Sequence, residues 1–479
     1  MLSYCDGEYT SNDQRYIHIC KGKLYTSTHI QHIRRHTLAR TLDQVQMDKI
    51  VSLCKRRGFI FQSSEIYGGL ASTYDYGPLG IELKRNIRDA WWKQFIQGRD
   101  DMVGIESAIL MHPQVWVASG HADTFTDPLV ECKACHHRFR EDHVNSNACL
   151  DCGGELTEAR NFNLMLKTFL GPVEDTATQV YLRPETAQGI FVNFQNVLTA
   201  TRKRLPFGIG QIGKSFRNEI TTGNFTFRTR EFEQMEIEFF VKPGTDDEWY
   251  QRWIDDFMQW FVDLGVREEK LRIRPHAQEE LSHYSKATSD IEYSFAWGWG
   301  ELMGIANRTD FDLKAHSQHS GVRLDYFDDE IEDPDQKHYT PYVVEPALGV
   351  DRALLVFLFD SYDEETIEGD TRVVLHLHPA LAPIKVAILP LSRNARLVPK
   401  AREVYDLVRS RFVTQYADAQ SIGRRYRRQD EIGTPVAVTI DFQTLDEDNA
   451  VTIRDRDTME QVRVPIDYLL ATLEQKLKR

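Results

Sequence analysis

No apolar run in the 479 residues approaches the 18 needed for a membrane-spanning helix, and the longest clear one is only Ala353–Phe359. Nothing is therefore expected to cross a membrane. The first ten residues carry Asp6 and Glu8 and have no apolar stretch, which excludes a secretory signal there. Cysteine is scarce: seven in a chain this long do not make a disulfide framework, and the expected setting is the reducing cytoplasm. Positive charge is in deficit, with 58 Lys and Arg against 72 Asp and Glu and a formal net charge of −14. A chain so acidic is no general binder of nucleic acid, so any such contact must come from local basic patches and shape. There is no internal repeat or low-complexity tract. A composition of 41% hydrophobic, 27% charged and 11% aromatic residues excludes disordered and collagenous classes, and the length allows two to four domains.

What is present begins at about Leu42. Residues 1–41 hold scattered basic residues and His18, His29, His32 and His36 without apolar periodicity. They read as a disordered extension or an over-extended start; a transit peptide and a metal site with Cys5 and Cys20 are alternative readings. From Leu79, the residues Leu83, Ile87, Trp91 and Phe95 recur every four positions, which predicts one apolar helical stripe. A strand over Ile105–Met111 is expected next. Residues 376–383 read as a linker. Beyond it, strands at Lys385–Leu391 and Pro435–Asp441 alternate with helices at Ala395–Phe412 and Pro465–Lys478, the pattern of an α/β domain.

Four of the cysteines stand as Cys132-x-x-Cys135 and Cys149-x-x-Cys152. Each pair presents two sulfurs to one ion, and two pairs close a tetrahedral shell without a water position. The spacing predicts a structural zinc ribbon within an insert over about 128–158.

Three stretches concentrate charge beside apolar strands. They are Leu182–Gly189, Gly213–Phe240 and Tyr342–Arg352. The second reads as a long antiparallel hairpin whose alternation places Met235, Ile237 and Phe239 on one face and Glu236 and Glu238 on the other. Buried Arg and Glu destabilise a fold unless paired. Salt-bridged strand faces are the ordinary explanation for one such cluster and a poor one for three. Guanidinium groups match phosphate oxygens two at a time, and carboxylates match an ammonium. No strand–turn–helix glycine loop is read, so phosphate binding would rest on arginine side chains.

These stretches resemble the motifs of class II aminoacyl-tRNA synthetases. Phe216–Glu219 with Arg230–Phe232 looks like motif 2, Gly349–Arg352 like motif 3, and the helix from Leu79 with the strand after it like motif 1. Residues 58–80, 182–194, 298–316 and 422–441 are similar to the glycyl-tRNA synthetase family of homodimeric type, and the resemblance covers about 42–479. It implies an α+β fold: a catalytic domain over 42–382 built on an antiparallel sheet with flanking helices, the zinc-ribbon-like insert, and an α/β anticodon-binding domain over 384–479. It implies a homodimer that uses ATP with Mg²⁺ to make glycyl-adenylate and passes glycine to the terminal ribose of tRNA(Gly).

By motif, the resemblance makes Arg217 and Arg352 the catalytic arginines. Arg217 would hold the α-phosphate and Arg352 would face it from the γ-phosphate side. Asn218, Glu219, Phe227, Arg228, Thr229, Arg230, Glu231, Phe232, Glu301, Leu302, Gly349, Val350 and Asp351 would complete the ATP site, with Glu219 at the adenine end and Phe232 stacked on adenine. Glycine would be held by Glu185, Glu236 and Glu345 around its ammonium. Arg140, Phe232, Glu233, Gln234, Met235, Pro346, Ala347, Leu348 and Gly349 would lie nearby. Ala347 replaces the family's usual Ser, which removes a hydroxyl from the pocket. Arg424, Arg425, Arg427 and Arg428, with Tyr426 among them, offer a local basic surface for tRNA or, equally, a solvated helix face. Two other readings compete: a synthetase-like binding subunit without chemistry, and a synthetase for another small amino acid. Retention of Arg217 and Arg352 argues against the first, and the three carboxylates against the second.

Overall fold

The computed structural model describes residues 17–20, 23–26 and 46–478, apart from 145, 173–177, 221–222, 283 and 368. Two short strands, Ile17–Cys20 and Lys23–Thr26, pair antiparallel; the rest of the expected extension over 1–41 lies outside the described residues.

Pro78 opens helix α1 (Pro78–Trp92), where its fixed φ suits the first turn. Leu83, Ile87 and Trp91 are buried along one face, as their spacing predicts. The strand that follows is β1 (Met102–Gly104) rather than Ile105–Met111. The Ile105 N–H still bonds the Gly210 carbonyl at 3.0 Å, but at Ser107 side chains take over the backbone groups that a ladder would use. The Ser107 N–H donates to Gln211 Oε1 at 2.7 Å, and Arg183 Nη1 donates to the Ser107 carbonyl at 2.9 Å.

β2 (Phe207–Phe216) and β3 (Glu231–Val241) form the expected hairpin. Helix α2 (Asp246–Asp263) follows, then β4 (Leu271–Pro275), β5 (Ala287–Phe295), β6 (Gly298–Thr309) and β7 (Tyr342–Gly349). The seven strands lie in the order β4-β5-β6-β7-β3-β2-β1. All neighbours are antiparallel except β1 and β2. β7 runs directly into helix α3 (Val350–Ser361).

Alternation along β3 separates two environments. Met235, Ile237, Phe239 and Val241 enter a core with Leu83 and Trp91 of α1, Trp253 and Phe257 of α2, and Leu354, Leu355 and Leu358 of α3. Each such side chain contributes about 1.5–3 kcal/mol on full burial. α3 is apolar on every side, and it is accordingly buried on every side. Gly210 of β2 makes the approach of α1's end possible, since a Cβ there would stand 2.3 Å from Ile96 Cδ1. On the other face Phe207, Ile209, Phe240 and Val343 pack against helices Ala187–Phe191, Phe194–Thr201 and Phe311–Ser320. The centre of that face is left to Glu236, Glu238, Glu345 and Arg308.

A second core follows the hairpin Tyr362–Ile367 and Asp370–Leu375. It comprises β8 (Val386–Pro390), α4 (Leu397–Arg409), β9 (Thr414–Tyr416), α5 (Ile422–Glu431), β10 (Val436–Ile440), β11 (Ala450–Asp455), β12 (Gln461–Pro465) and α6 (Leu469–Leu477). The sheet order is β9-β8-β10-β11-β12, with β8 parallel to both neighbours. β8 and β10 are buried throughout, which explains their unbroken apolar sequences.

Arginines join the two cores. Arg372, 0% exposed, donates to Asp430 Oδ2 at 2.9 Å and to the carbonyl of Arg456. Arg454 Nη1 donates to Asp430 Oδ1 at 2.9 Å, and Arg456 Nη1 to the carbonyls of Leu377 and Gly433 at 2.9 and 2.8 Å. Removing one partner of a buried ion pair leaves an uncompensated charge. Asp430→Ala is therefore expected to lower stability by about 3–5 kcal/mol, read from its urea denaturation midpoint; an unchanged midpoint would contradict this account of the joint.

Candidate active site

The polar centre of the sheet is a pocket of carboxylates gathered around one arginine. Arg308 on β6 is 1% exposed. Its Nε and Nη2 donate to Asp312 at 2.8 Å each, and its Nη1 donates to Glu345. The guanidinium lies 3.9 Å from the centre of the Tyr284 ring. Glu236 accepts from the Thr186 N–H at 2.9 Å, from the Thr186 hydroxyl, and from Gln234 Nε2 at 2.6 Å. Glu185 accepts from Gln188 Nε2 at 3.1 Å and faces His121 Nε2 at 3.2 Å. Glu238 is 0% exposed, and neither of its carboxylate oxygens has a hydrogen-bond partner among the described residues.

The acids titrate unequally because burial and like charge act against the available cations. Burial, with Glu345 next in weight, holds Glu238 well above the usual carboxylate range. Burial and neighbouring carboxylates push Glu345 up to about 8 despite Arg308, and burial with Glu185 nearby raises Glu236. Glu185 goes the other way: burial opposes ionisation, but His121 and Arg308 hold it below the usual range. His316, which bonds Gln188 Oε1 at 2.7 Å, is brought down to about 4 by burial and adds no charge at neutral pH.

Arg217 stands beside this pocket, at the end of β2. Its guanidinium lies 5.3 Å from the ring centres of both Phe125 and Phe232, and Nε donates to the Pro184 carbonyl at 3.0 Å. Its two terminal nitrogens have no hydrogen-bond partner among the described residues. Arg352 stands further along the sheet, at the start of α3. It pairs with Glu301 Oε1 at 2.9 Å, donates from Nε to the Phe227 carbonyl at 3.1 Å, and lies 4.5 Å from the centre of the Phe227 ring. Phe295 and Trp297 back that ring edge-on at 5.2 and 5.4 Å. The motif 2 loop is tied back upon itself: Arg230 Nη2 donates to the Glu219 carbonyl at 3.1 Å, and the Asn218 N–H to the Leu164 carbonyl at 2.7 Å.

Several expected site residues stand elsewhere, mostly because strand alternation turns them away. Glu231 and Glu233 project to the α1 side, where they pair with Lys214 at 2.8 Å and Lys84 at 3.3 Å. Asp351 is structural: it accepts from Lys84 Nζ at 2.8 Å, from the Glu233 N–H at 2.7 Å, and from the Tyr76 hydroxyl. Met235, Leu302, Leu348 and Val350 are in the apolar core. Pro346 shares their side of the sheet, opposite Ile305. Thr229 bonds the Glu231 carbonyl at 2.9 Å. Gln234 and Ala347 remain on the pocket face, with Ala347 level with Glu236 and Gly304, and Gly349 is level with Gln234. Arg228 is half-buried, and Arg140 on the insert is held by Asp142 at 2.8 Å and Asp127 at 3.1 Å.

Residues 208–215 do fit the letter spacing of a phosphate loop, Gly208 to Gly213-Lys214-Ser215, which the sequence reading passed over. All of them lie within β2, so no helix N-terminus is there to receive a phosphate. Arg308, Asp312, Thr186, Gln188, His121 and Glu238 are the pocket residues that motif reading did not select. For Arg308 and Asp312 the signal was an i, i+4 charge pair within apolar surroundings.

The four insert cysteines converge. Their sulfurs lie within 4.8 Å of one another, with Cys132 and Cys152 at 3.5 Å and Cys135 and Cys149 at 3.6 Å. These are not disulfides. A tetrahedron of sulfurs about 2.3 Å from a central ion has edges of about 3.8 Å, so the set fits a metal. The N–H groups of Cys135 and Ala134 point at Cys132 and bring its thiol down to about 6. On α5 the predicted basic group divides. Arg424 and Arg428 are exposed and Arg427 is half-buried. Arg425 is buried and donates to the carbonyls of Pro390, Ala417 and Leu391, so it is no RNA contact.

The core domain of class II tRNA synthetases for G, H, P, S and T matches residues 172–361, and an anticodon binding domain matches 385–476. The chain is 56% identical over 467 residues to a glycine–tRNA ligase of Clostridium acetobutylicum, covering 91% of this chain and 100% of that protein. It is 54% identical over 457 residues to that of Thermobifida fusca, covering 90% and 98%, and 54% identical over 461 residues to that of Bacillus cereus, covering 90% and 99%. With both domain types in order and an arginine–carboxylate site within the first, the chain belongs to the glycine–tRNA ligases of the class II aminoacyl-tRNA synthetase family.

Proposed function

We propose that this chain joins glycine to tRNA on the open face of its seven-stranded sheet, with Glu185, Glu236 and Glu345 around the glycine ammonium and Arg217 on the α-phosphate of ATP. The observation that carries this assignment is Arg217 itself: a guanidinium fixed by Pro184 and two rings, beside the carboxylate pocket, with neither terminal nitrogen hydrogen-bonded among the described residues. The glycine carboxylate attacks the α-phosphorus and pyrophosphate leaves. A terminal ribose hydroxyl of the tRNA then attacks the activated carbonyl and AMP leaves. Charge builds on the phosphate oxygens in the first step, and a preorganised guanidinium stabilises it there. Adenine is assigned to Phe232, with the Phe227–Arg352 pair completing the nucleotide end. Glu301 offers an oxygen to Mg²⁺ near the phosphates, and that ion, when bound, supplies further neutralisation. Glycine is selected by exclusion: in a crowded pocket a clash discriminates more than the roughly 1–3 kcal/mol of one methylene, and Glu185, Thr186 and Gln188 are all buried there.

Residues 42–382 form the catalytic unit and 384–479 the anticodon-binding unit, with Arg424, Arg427 and Arg428 on its tRNA side and the cytoplasm as its setting. Cys132, Cys135, Cys149 and Cys152 hold a structural Zn²⁺. The chain acts as a homodimer. Leu83, Ile87 and Trp91 are fully buried in their own core, whereas Ile66 and Tyr67 are each 88% exposed and Leu70 is 60% exposed. These three mark the dimer face.

In amino-acid-dependent ATP–pyrophosphate exchange, glycine should support turnover and alanine and serine should not, while Arg217→Ala should lower the glycine rate at least a hundredfold without changing the circular dichroism. Exchange with alanine would show a relaxed pocket, and near-normal turnover of the variant would refute the phosphate role. Elemental analysis should find one zinc per chain and none in Cys149→Ser; a metal-free wild type from zinc-replete medium would remove the assignment. Sedimentation should give a dimer that Tyr67→Glu weakens, and an active monomeric wild type would sink that reading.

A further inference from the structure

Strand register brings two carboxylates face to face in the pocket. β3 and β7 pair with Glu236 opposite Ala347 and Phe239 opposite Val344. The same register sets Glu238 level with Glu345, both on the pocket side and both buried. Like charges at directly opposed sheet positions repel, and burial enlarges the penalty. Glu345 has Arg308 as its partner. Glu238 has none among the described residues: its neighbour on β2 is Ile209, and neither of its oxygens accepts a hydrogen bond there.

The surrounding charges do not rescue it. Glu236 on β3, Glu345 on β7, Asp312 on the helix Phe311–Ser320 and Glu185 before the helix Ala187–Phe191 are all acidic. Against these and Glu238 stand Arg308, His121, the buried Arg183 beside Glu236 and, at the rim, Arg217. His316 is neutral, and Tyr284 covers Arg308 without adding charge. Even with His121 protonated, five carboxylates face four cations. An empty, dry pocket with all five ionised would carry one uncompensated buried charge.

We propose that Glu238 is a positioning residue of the amino-acid pocket, which together with Glu345 holds one proton while the pocket is empty and releases it to solvent when the substrate ammonium arrives. This rests on the placement of the ammonium beside Glu345 given above. One O–H bond of the carboxyl pair breaks, the proton passes to the buffer, and the incoming positive charge takes its place, so the pocket's net charge is the same before and after. The bare carboxyl of Glu238 is the natural seat of that proton, because Glu345 is already compensated by Arg308. The device makes the pocket respond to a cation: a neutral isostere of glycine lacking the ammonium would leave the proton where it is.

The sign follows from linkage. Burial and Glu345 hold the Glu238 carboxyl well above the usual carboxylate range in the empty site, and a bound ammonium lowers the proton affinity of the pair. Wherever the empty pair is protonated, binding must expel a proton, so the glycine KM falls by up to about tenfold per pH unit as pH rises through neutrality. The test is calorimetric titration of glycine into the full-length chain at pH 7 in phosphate and in Tris, whose ionisation enthalpies differ, with the KM profile measured in parallel by pyrophosphate exchange. Close to one proton released per glycine, and a flat KM profile in Glu238→Gln, is the expected result. A merely structural Glu238 would leave the slope of that profile untouched in the variant, which overturns the proposal. Saturable glycine binding with no proton released by the wild type also overturns it, while leaving the ligase reading intact. Absence of both glycine binding and glycine-dependent exchange would bring down that reading and this proposal together. If Glu238→Gln does not fold, the wild-type proton count still decides.

Discussion

Arg308 is the cation at the centre of the pocket face, and it lets the sheet carry acids there. Without it, Glu345 and Asp312 would be adjacent buried anions, each costing several kcal/mol after relaxation. With it, the pocket is foldable but still short of positive charge. That shortfall is the useful property. A site fully neutralised by its own side chains would have no electrostatic reason to accept an ammonium, whereas this one is completed by it. Tyr284 and Phe191, stacked near the guanidinium, keep the arginine dry and fixed rather than solvated.

The sheet serves two media because strand residues alternate. Along β3, Met235, Ile237 and Phe239 dissolve in hydrocarbon supplied by three helices, while Gln234, Glu236 and Glu238 face the pocket. The helix-packed side is itself pinned by charge: Lys84 bridges Glu233 and Asp351, so α1 cannot slide relative to the start of α3. Arg352 follows Asp351 directly. The buried aspartate thus sets the position of the arginine that stacks on Phe227, which makes an apparently structural pair part of the geometry of the nucleotide end.

Much of this was legible in the sequence where a local rule governs. The α1 stripe, the β2–β3 hairpin, the strand-to-helix passage at Gly349 and the alternating second core follow from periodicity and apolar content. The two Cys pairs announce a four-sulfur cluster by spacing alone. Local rules fail where the answer depends on a distant partner. Motif reading took contiguous runs such as 232–236 and 345–349 as site residues, whereas a strand gives a pocket only every second residue. Ile105–Met111 has strand composition, yet Arg183 and Gln211, remote in sequence, claim its backbone. Arg425 looks like its basic neighbours, but only the fold shows it caught by three carbonyls. Glu238 is one glutamate among many until register places it level with Glu345.

The junction around Arg372 bears on how separable the two cores are. Each has its own apolar interior, which suggests that the C-terminal part could be cut away and handled as a free-standing module. The ion pairs say otherwise. Arg372 leaves the hairpin of the first core fully buried, and its counter-ion Asp430 belongs to α5 of the second. Arg456 returns the contact by holding the Leu377 carbonyl. A cut in the connecting segment would strand an arginine on one fragment and an aspartate on the other, each shaped for an interior it no longer has. The second core is a part of the machine by charge although it is a unit by hydrophobicity, and excision would change both pieces rather than isolate one.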